Sequence, residues 1–148
     1  MTKKKDIQIM RPYMLSALLA LPLPALADPA MECSGTGSQI ELRDCLNGDQ
    51  TRANAALSRA LDYAREAAAD LDGITGRQSV GPALEAAQKS WEAFRDAHCD
   101  FVGATFGGGS GTGIAILSCR ITLTRDRVEA LMDHAGQRAQ KINLQDSF

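Results

Sequence analysis

"LEAAQKSWEAFRDAHCDF", Leu84 to Phe101, is the stretch whose reading decides the fold class. Leu84, Ala87, Trp91, Phe94, His98 and Phe101 recur at intervals of three and four, while Glu85, Lys89, Glu92 and Asp96 fall away from them. Apolar positions so spaced share one face of an α-helix, because a turn takes 3.6 residues. This seam carries the only tryptophan of the chain and two of its four phenylalanines. It is therefore expected to hold the core together.

Towards the N-terminus, "LDGITGRQSVGP" (Leu71 to Pro82) interrupts the helical pattern with three glycines, and Pro82 suits the first turn of the helix that follows. Before it, Ala53, Leu57, Ala60, Leu61, Ala64, Ala68 and Leu71 predict a thin, alanine-rich amphipathic helix starting at Asp49. An earlier helical stretch, Ser38 to Leu46, is either separate or joined to it through Asn47-Gly48. Towards the C-terminus, Ile114, Leu117, Ile121, Thr124, Val128 and Leu131 predict a third long helix from about Gly113 to Ala135. Sustained strand alternation is missing. The expectation is an all-α protein, a small antiparallel bundle or hairpin of three to four helices, with one domain over 28–135 and a polar, frayed tail over 136–148.

The first 27 residues read as a secretory signal peptide. Lys3, Lys4, Lys5 and Arg11 give a basic start, Leu15 to Ala27 is an apolar run broken by Pro22 and Pro24, and Ala25-Leu26-Ala27 fits a small-x-small cleavage site. Cys33 lies six residues past Ala27 rather than directly after it, so a lipid anchor is not expected. Cleavage would leave 121 of the 148 residues, with 12 basic against 17 acidic side chains, a net charge of −5. That balance argues against a nucleic-acid partner and suits a cationic protein. All four cysteines, Cys33, Cys45, Cys99 and Cys119, fall in the exported part. An even count in an oxidising compartment predicts two disulfides. Three pairings are open, the sequence-local Cys33 with Cys45 and Cys99 with Cys119 being preferred.

"TFGGGSGTGIAI" (105–116) invites a phosphate-cradle reading and resembles the glycine-rich signature of tubulin-type GTPases. A nucleotide loop should follow a buried strand in a βαβ unit, whereas this one follows the aromatic helix and lacks a Gly-Lys-Ser/Thr end. The simpler expectation is a turn between two helices, free to present backbone to a partner. His98 beside Cys99 evokes a nucleophile pair, but a cysteine in a disulfide supplies no thiolate. Two distant histidines and four bridged cysteines offer no zinc set, and no cofactor is expected.

From Leu84 to Phe101 the chain resembles the family named for the N-terminal domain of the lysozyme inhibitor LprI, in an alanine-glutamine pair, a tryptophan, Phe-Arg-Asp and a cysteine. Ala87, Gln88, Trp91, Phe94, Arg95, Asp96 and Cys99 hold those places. The pattern runs on through Gly108 to Ser110, Cys119, Leu123-Thr124, Arg127 and Leu131, and it also accounts for Cys33 and Cys45. The resemblance implies an exported, non-enzymatic helical protein, periplasmic or secreted, that binds and inhibits a cationic lysozyme. The alternative is an envelope interaction or stress module without that partner. A hydrolase using Asp96 with Asp100 or Glu92 is a third reading; it would need two acids opposed across a sugar.

Gln88, Trp91, Phe94, Arg95 and Asp96 are expected to be structural, with Trp91 and Phe94 in the core. Arg95 is expected to bond carbonyls of the early disulfide loop or an acid on a neighbouring helix. Gly109, Ser110 and Gly111, at the tip of the glycine loop, are the candidate contact with a partner.

Overall fold

The computed structural model describes residues 28–145, with side chains as far as Gly136; the expected signal peptide lies outside the described residues. Four helices follow one another: α1 (Pro29–Glu32), α2 (Gln39–Thr75), α3 (Val80–Ala104) and α4 (Thr112–Gln145). The three long helices run up, down and up, and there is no strand among the described residues. The all-α expectation holds.

Local chemistry sets most helix ends. The Asp28 carboxylate caps α1 by accepting from the Ala30 N–H at 2.9 Å, with Pro29 in the first turn. Ser38 and Glu41 form a capping box at the start of α2: Ser38 Oγ accepts from the Glu41 N–H at 3.2 Å, and Glu41 Oε2 accepts from the Gly37 N–H at 2.9 Å. The Asn47-Gly48 dipeptide does not stop α2, which runs through it as one helix. Leu46 and Asp49, on either side, are both buried. Their packing outweighs the roughly 1 kcal/mol that a glycine costs inside a helix. α2 ends where Gly76 takes φ 66°, the left-handed conformation that glycine adopts without strain.

The alanine-rich face of α2 is buried as its spacing requires, at Ala53, Leu57, Ala60, Leu61, Ala64 and Ala68. Small residues let α4 approach closely, so the core is a narrow seam between α2 and α4. One half gathers Leu57, Ala60, Leu61, Ala64 and Leu131, with Leu84, Trp91 and Val128 against it. The other gathers Cys33, Leu46, Ala53 and Ile121, with Ile114 and Leu117 beside them. Both preferred disulfides are present. Cys33–Cys45 ties α1 to α2, and Cys99–Cys119 ties α3 to α4.

Two boundaries differ from the sequence reading. α3 begins at Val80, a turn earlier than the aromatic stripe, and α4 continues past Ala135 through the polar segment to Gln145. A larger correction concerns the stripe itself. Phe94 is 54 % exposed and Phe101 66 % exposed, so neither belongs to the core. The inward face of α3 instead carries the buried Gln88, Cys99 and Gly103, with Trp91 and Arg95 half-buried. Cys99 must face α4 to reach Cys119. Phe94 lies one position before Arg95, and His98 one before Cys99, so each is turned about 100° away from that face.

Candidate functional site

The motif residues of α3 build a junction with α4. Arg95 and Arg127 both place their guanidinium groups over the Trp91 ring, at 5.0 and 5.8 Å from its centroid. Arg127 Nε donates to Gln88 Oε1 at 3.1 Å, and Gln88 Nε2 donates on to Glu92 Oε1 at 3.0 Å. Burial lowers the pKa of Arg127, whose charge rests against the indole face and a neutral amide. Arg95 donates to Asp96 on its own helix at 3.2 Å and to Thr124 Oγ1 on α4 at 3.4 Å. It reaches neither the early disulfide loop nor an acid on a neighbouring helix, the two partners expected for it. Asp96 faces Arg120 Nε at 3.7 Å, and Arg120 also donates to Asp100 at 3.4 Å. These acids lie along one side of α3 in ion pairs with arginines, which does not resemble two carboxyl groups opposed across a sugar.

The early disulfide loop is held by residues that periodicity did not single out. Arg125 of α4 donates to both carboxylate oxygens of Glu32, at 2.7 and 2.9 Å, and lies 3.9 Å from Asp49. This fork lowers the pKa of Glu32 and raises that of Arg125. Asp49 is buried and also pairs with Arg52. An acid at the head of the alanine-rich face of α2 was the available signal, because a buried carboxylate calls for a cation or hydrogen-bond donors. Cys33 and Cys45 lie close to Asp49 in a cluster of ligand type, but their sulfurs are joined to each other and offer no thiolate to a metal.

The glycine turn, 105–111, stands at the C-terminal end of α3, the same end of the bundle as the early disulfide loop. Gly107 and Gly108 have φ of 64° and 79°, which only glycine accepts without strain. Backbone bonds shape the turn: Gly109 N–H donates to Phe106 O at 3.3 Å, and Thr112 N–H to Gly109 O at 3.0 Å. The N–H groups of Gly108, Ser110 and Gly111 find no partner among the described residues. Gly109 and Ser110 are exposed at the tip, and no charged residue occurs from Phe101 to Cys119. The turn joins two helices, so the strand context of a phosphate loop does not exist here.

Beside this turn lies an aromatic surface. Phe94 stacks on His98 with centroids 5.4 Å apart, and Phe101 follows at 6.4 Å from His98. His98 and Phe106 then line a groove of about 410 Å³ between α3 and α4, together with Val102, Ala115, Leu123 and Asp28. No helix among the described residues is long and apolar enough to cross a membrane.

Comparison with known proteins places this architecture. No solved structure matches the chain. An uncharacterised protein of Rhizobium meliloti (strain 1021) is 30 % identical over 127 residues, which cover 80 % of this chain and 90 % of that one. The family model for the lysozyme inhibitor LprI matches residues 30–131, from the first turn of α1 to the last buried leucine of α4. Both disulfides, the arginine-flanked tryptophan and the glycine turn fall inside that match, and the chain belongs to the LprI lysozyme-inhibitor family.

Proposed function

We propose that the protein is exported to the periplasm or secreted, and that it binds and inhibits lysozyme without catalytic activity of its own. The observation that carries this reading is the family match, which spans nearly the whole described bundle. Two disulfides and the basic, apolar leader support an oxidising compartment. The glycine turn supplies the means. Its tip, Gly109, Ser110 and Gly111, has no side chain larger than a serine and offers the backbone N–H groups of Ser110 and Gly111, which have no partner among the described residues. Such a tip fits a saccharide cleft, whose walls bond sugar hydroxyls through polar groups that the turn could engage in their place. The Cys99–Cys119 bridge holds both stems of the turn, so little order remains to be imposed on binding.

Titration of the oxidised protein against several lysozyme types, following cell-wall lysis and direct binding together, tests the reading. Saturable inhibition with matching affinity is expected. Replacing Gly109, Ser110 and Gly111 with bulkier residues should weaken both. Folded protein that neither binds nor inhibits any lysozyme would instead identify an envelope interaction module.

A further inference from the structure

Three phenylalanines belong to the described residues, and all three are more than half exposed: Phe94 at 54 %, Phe101 at 66 % and Phe106 at 54 %. They are also gathered on one side. Phe94 and Phe101 flank the His98 ring along α3, and Phe106 shares the adjoining groove with His98. Single exposed apolar residues are ordinary, whereas a contiguous aromatic surface beside an open apolar groove marks an interaction site. The placement is not forced by a shortage of core positions. The core seam is filled by alanines and leucines, and α3 turns its aromatic stripe outward while burying Gln88 and Gly103.

We infer that the surface formed by Phe94, His98, Phe101 and Phe106, with the groove between α3 and α4, is the docking face for a cationic protein of the lysozyme class. The inference rests on the proposed inhibitor function and extends it from the tip of the turn to the side of the bundle. The charges around the rings favour a basic partner. Asp96 and Asp100 stand exposed on α3, their side chains 51 % and 66 % accessible, while the arginines that pair with them, Arg95 and Arg120, are drawn in to 17 % and 31 %. The acids are thus the more accessible charges there, and open phenyl faces accept arginine or lysine side chains through cation–π attraction. The phenylalanines supply rigid contact area at low entropic cost, and the carboxylates select the sign of the partner. The glycine turn continues this face, so one approach would engage both.

The test is binding of a cationic c-type lysozyme to the oxidised protein and to its Phe94→Ser/Phe101→Ser variant, with helicity and Tm measured on both. The expected result is unchanged folding and affinity weakened roughly tenfold or more. In the unaltered protein, hydrogen exchange over residues 94–106 should slow when lysozyme saturates it, a readout that does not depend on how the variant folds. Equal affinity of a folded variant, or unchanged exchange over 94–106 in the saturated complex, would overturn the inference and leave the inhibitor reading standing. A variant that loses self-association while keeping its lysozyme affinity would assign the face to a second copy of the chain and overturn it likewise. Failure of the unaltered protein to bind any lysozyme sinks the inhibitor reading and this face together.

Discussion

Asp72 shows how one side chain can replace a missing cap. Ser79 precedes α3 without making a side-chain cap, and the Asp72 carboxylate of α2 instead accepts from the N–H groups of Val80, Gly81 and Ser79, at 3.0, 3.1 and 3.0 Å. Those bonds, Val80 and Gly81 foremost, hold its pKa below the usual carboxylate value. A depressed folded pKa means stability that is present above the unfolded value of about 3.9 and lost as pH falls through the folded one. Asp72→Ala should therefore lower Tm by several degrees at neutral pH, and the gap to the unaltered protein should narrow on acidification below about pH 4. Thermal melts of both proteins across that range check it. A second residue-scale prediction concerns Trp91. Arg95→Ala and Arg127→Ala each remove one guanidinium from the ring, at a cost of about 1 kcal/mol. The two share the indole, so a double-mutant cycle in denaturant should show them to be non-additive.

At the scale of the helices, periodicity was enough for α2 and α4 and insufficient for α3. The alanine and leucine spacing named the buried face of α2 from Ala53 to Ala68, because a single apolar face was available to read there; Leu71, also expected on it, is only partly buried, and Asp72 beside it is buried. α3 carries two overlapping stripes. One holds Phe94, His98 and Phe101; the other runs through Leu84, Gln88, Trp91, Arg95, Cys99 and Gly103. Size and hydrophobicity favour the first, and the structure buries the second. Covalent geometry decides, since Cys99 must face Cys119 across a Cα–Cα distance of 5.5 Å. Positions four residues to either side of Cys99 then share its face. Gly103 is there for close approach: a Cβ added to it would sit 2.5 Å from Ile116 Cγ1. Gly103→Ala is expected to cost about 1–3 kcal/mol by forcing α3 and α4 apart, measurable by urea unfolding. Gly48 is the opposite case. It sits inside α2, and the nearest atom to an added Cβ is the movable Arg52 Nη1 at 3.4 Å. Gly48→Ala should stabilise by up to about 1 kcal/mol in the same assay.

For the whole molecule, the all-α bundle and its two disulfides were legible in the sequence, while the aromatic face was hidden, because sequence spacing does not distinguish a buried stripe from one turned to solvent. The distribution of charge makes a kinetic prediction. The segment from Phe101 to Cys119 is uncharged, and the acidic excess of a chain beginning at Asp28 lies in the rest of the sequence. Contacts at the neutral tip and the phenyl rings would govern how long a lysozyme stays bound. The surrounding field would govern how fast it arrives. At 0.1 M salt the Debye length is about 10 Å, so added salt screens the approach far more than it disturbs close apolar contacts. Binding kinetics from 0.05 to 0.5 M salt should show, roughly, an association rate that falls by an order of magnitude or more and a dissociation rate that changes little. Phe94→Ser/Phe101→Ser should produce the reverse pattern, faster dissociation with the association rate nearly preserved. A dissociation rate that rose steeply with salt would place ion pairs inside the contact, and the neutral tip and rings would then not be its centre.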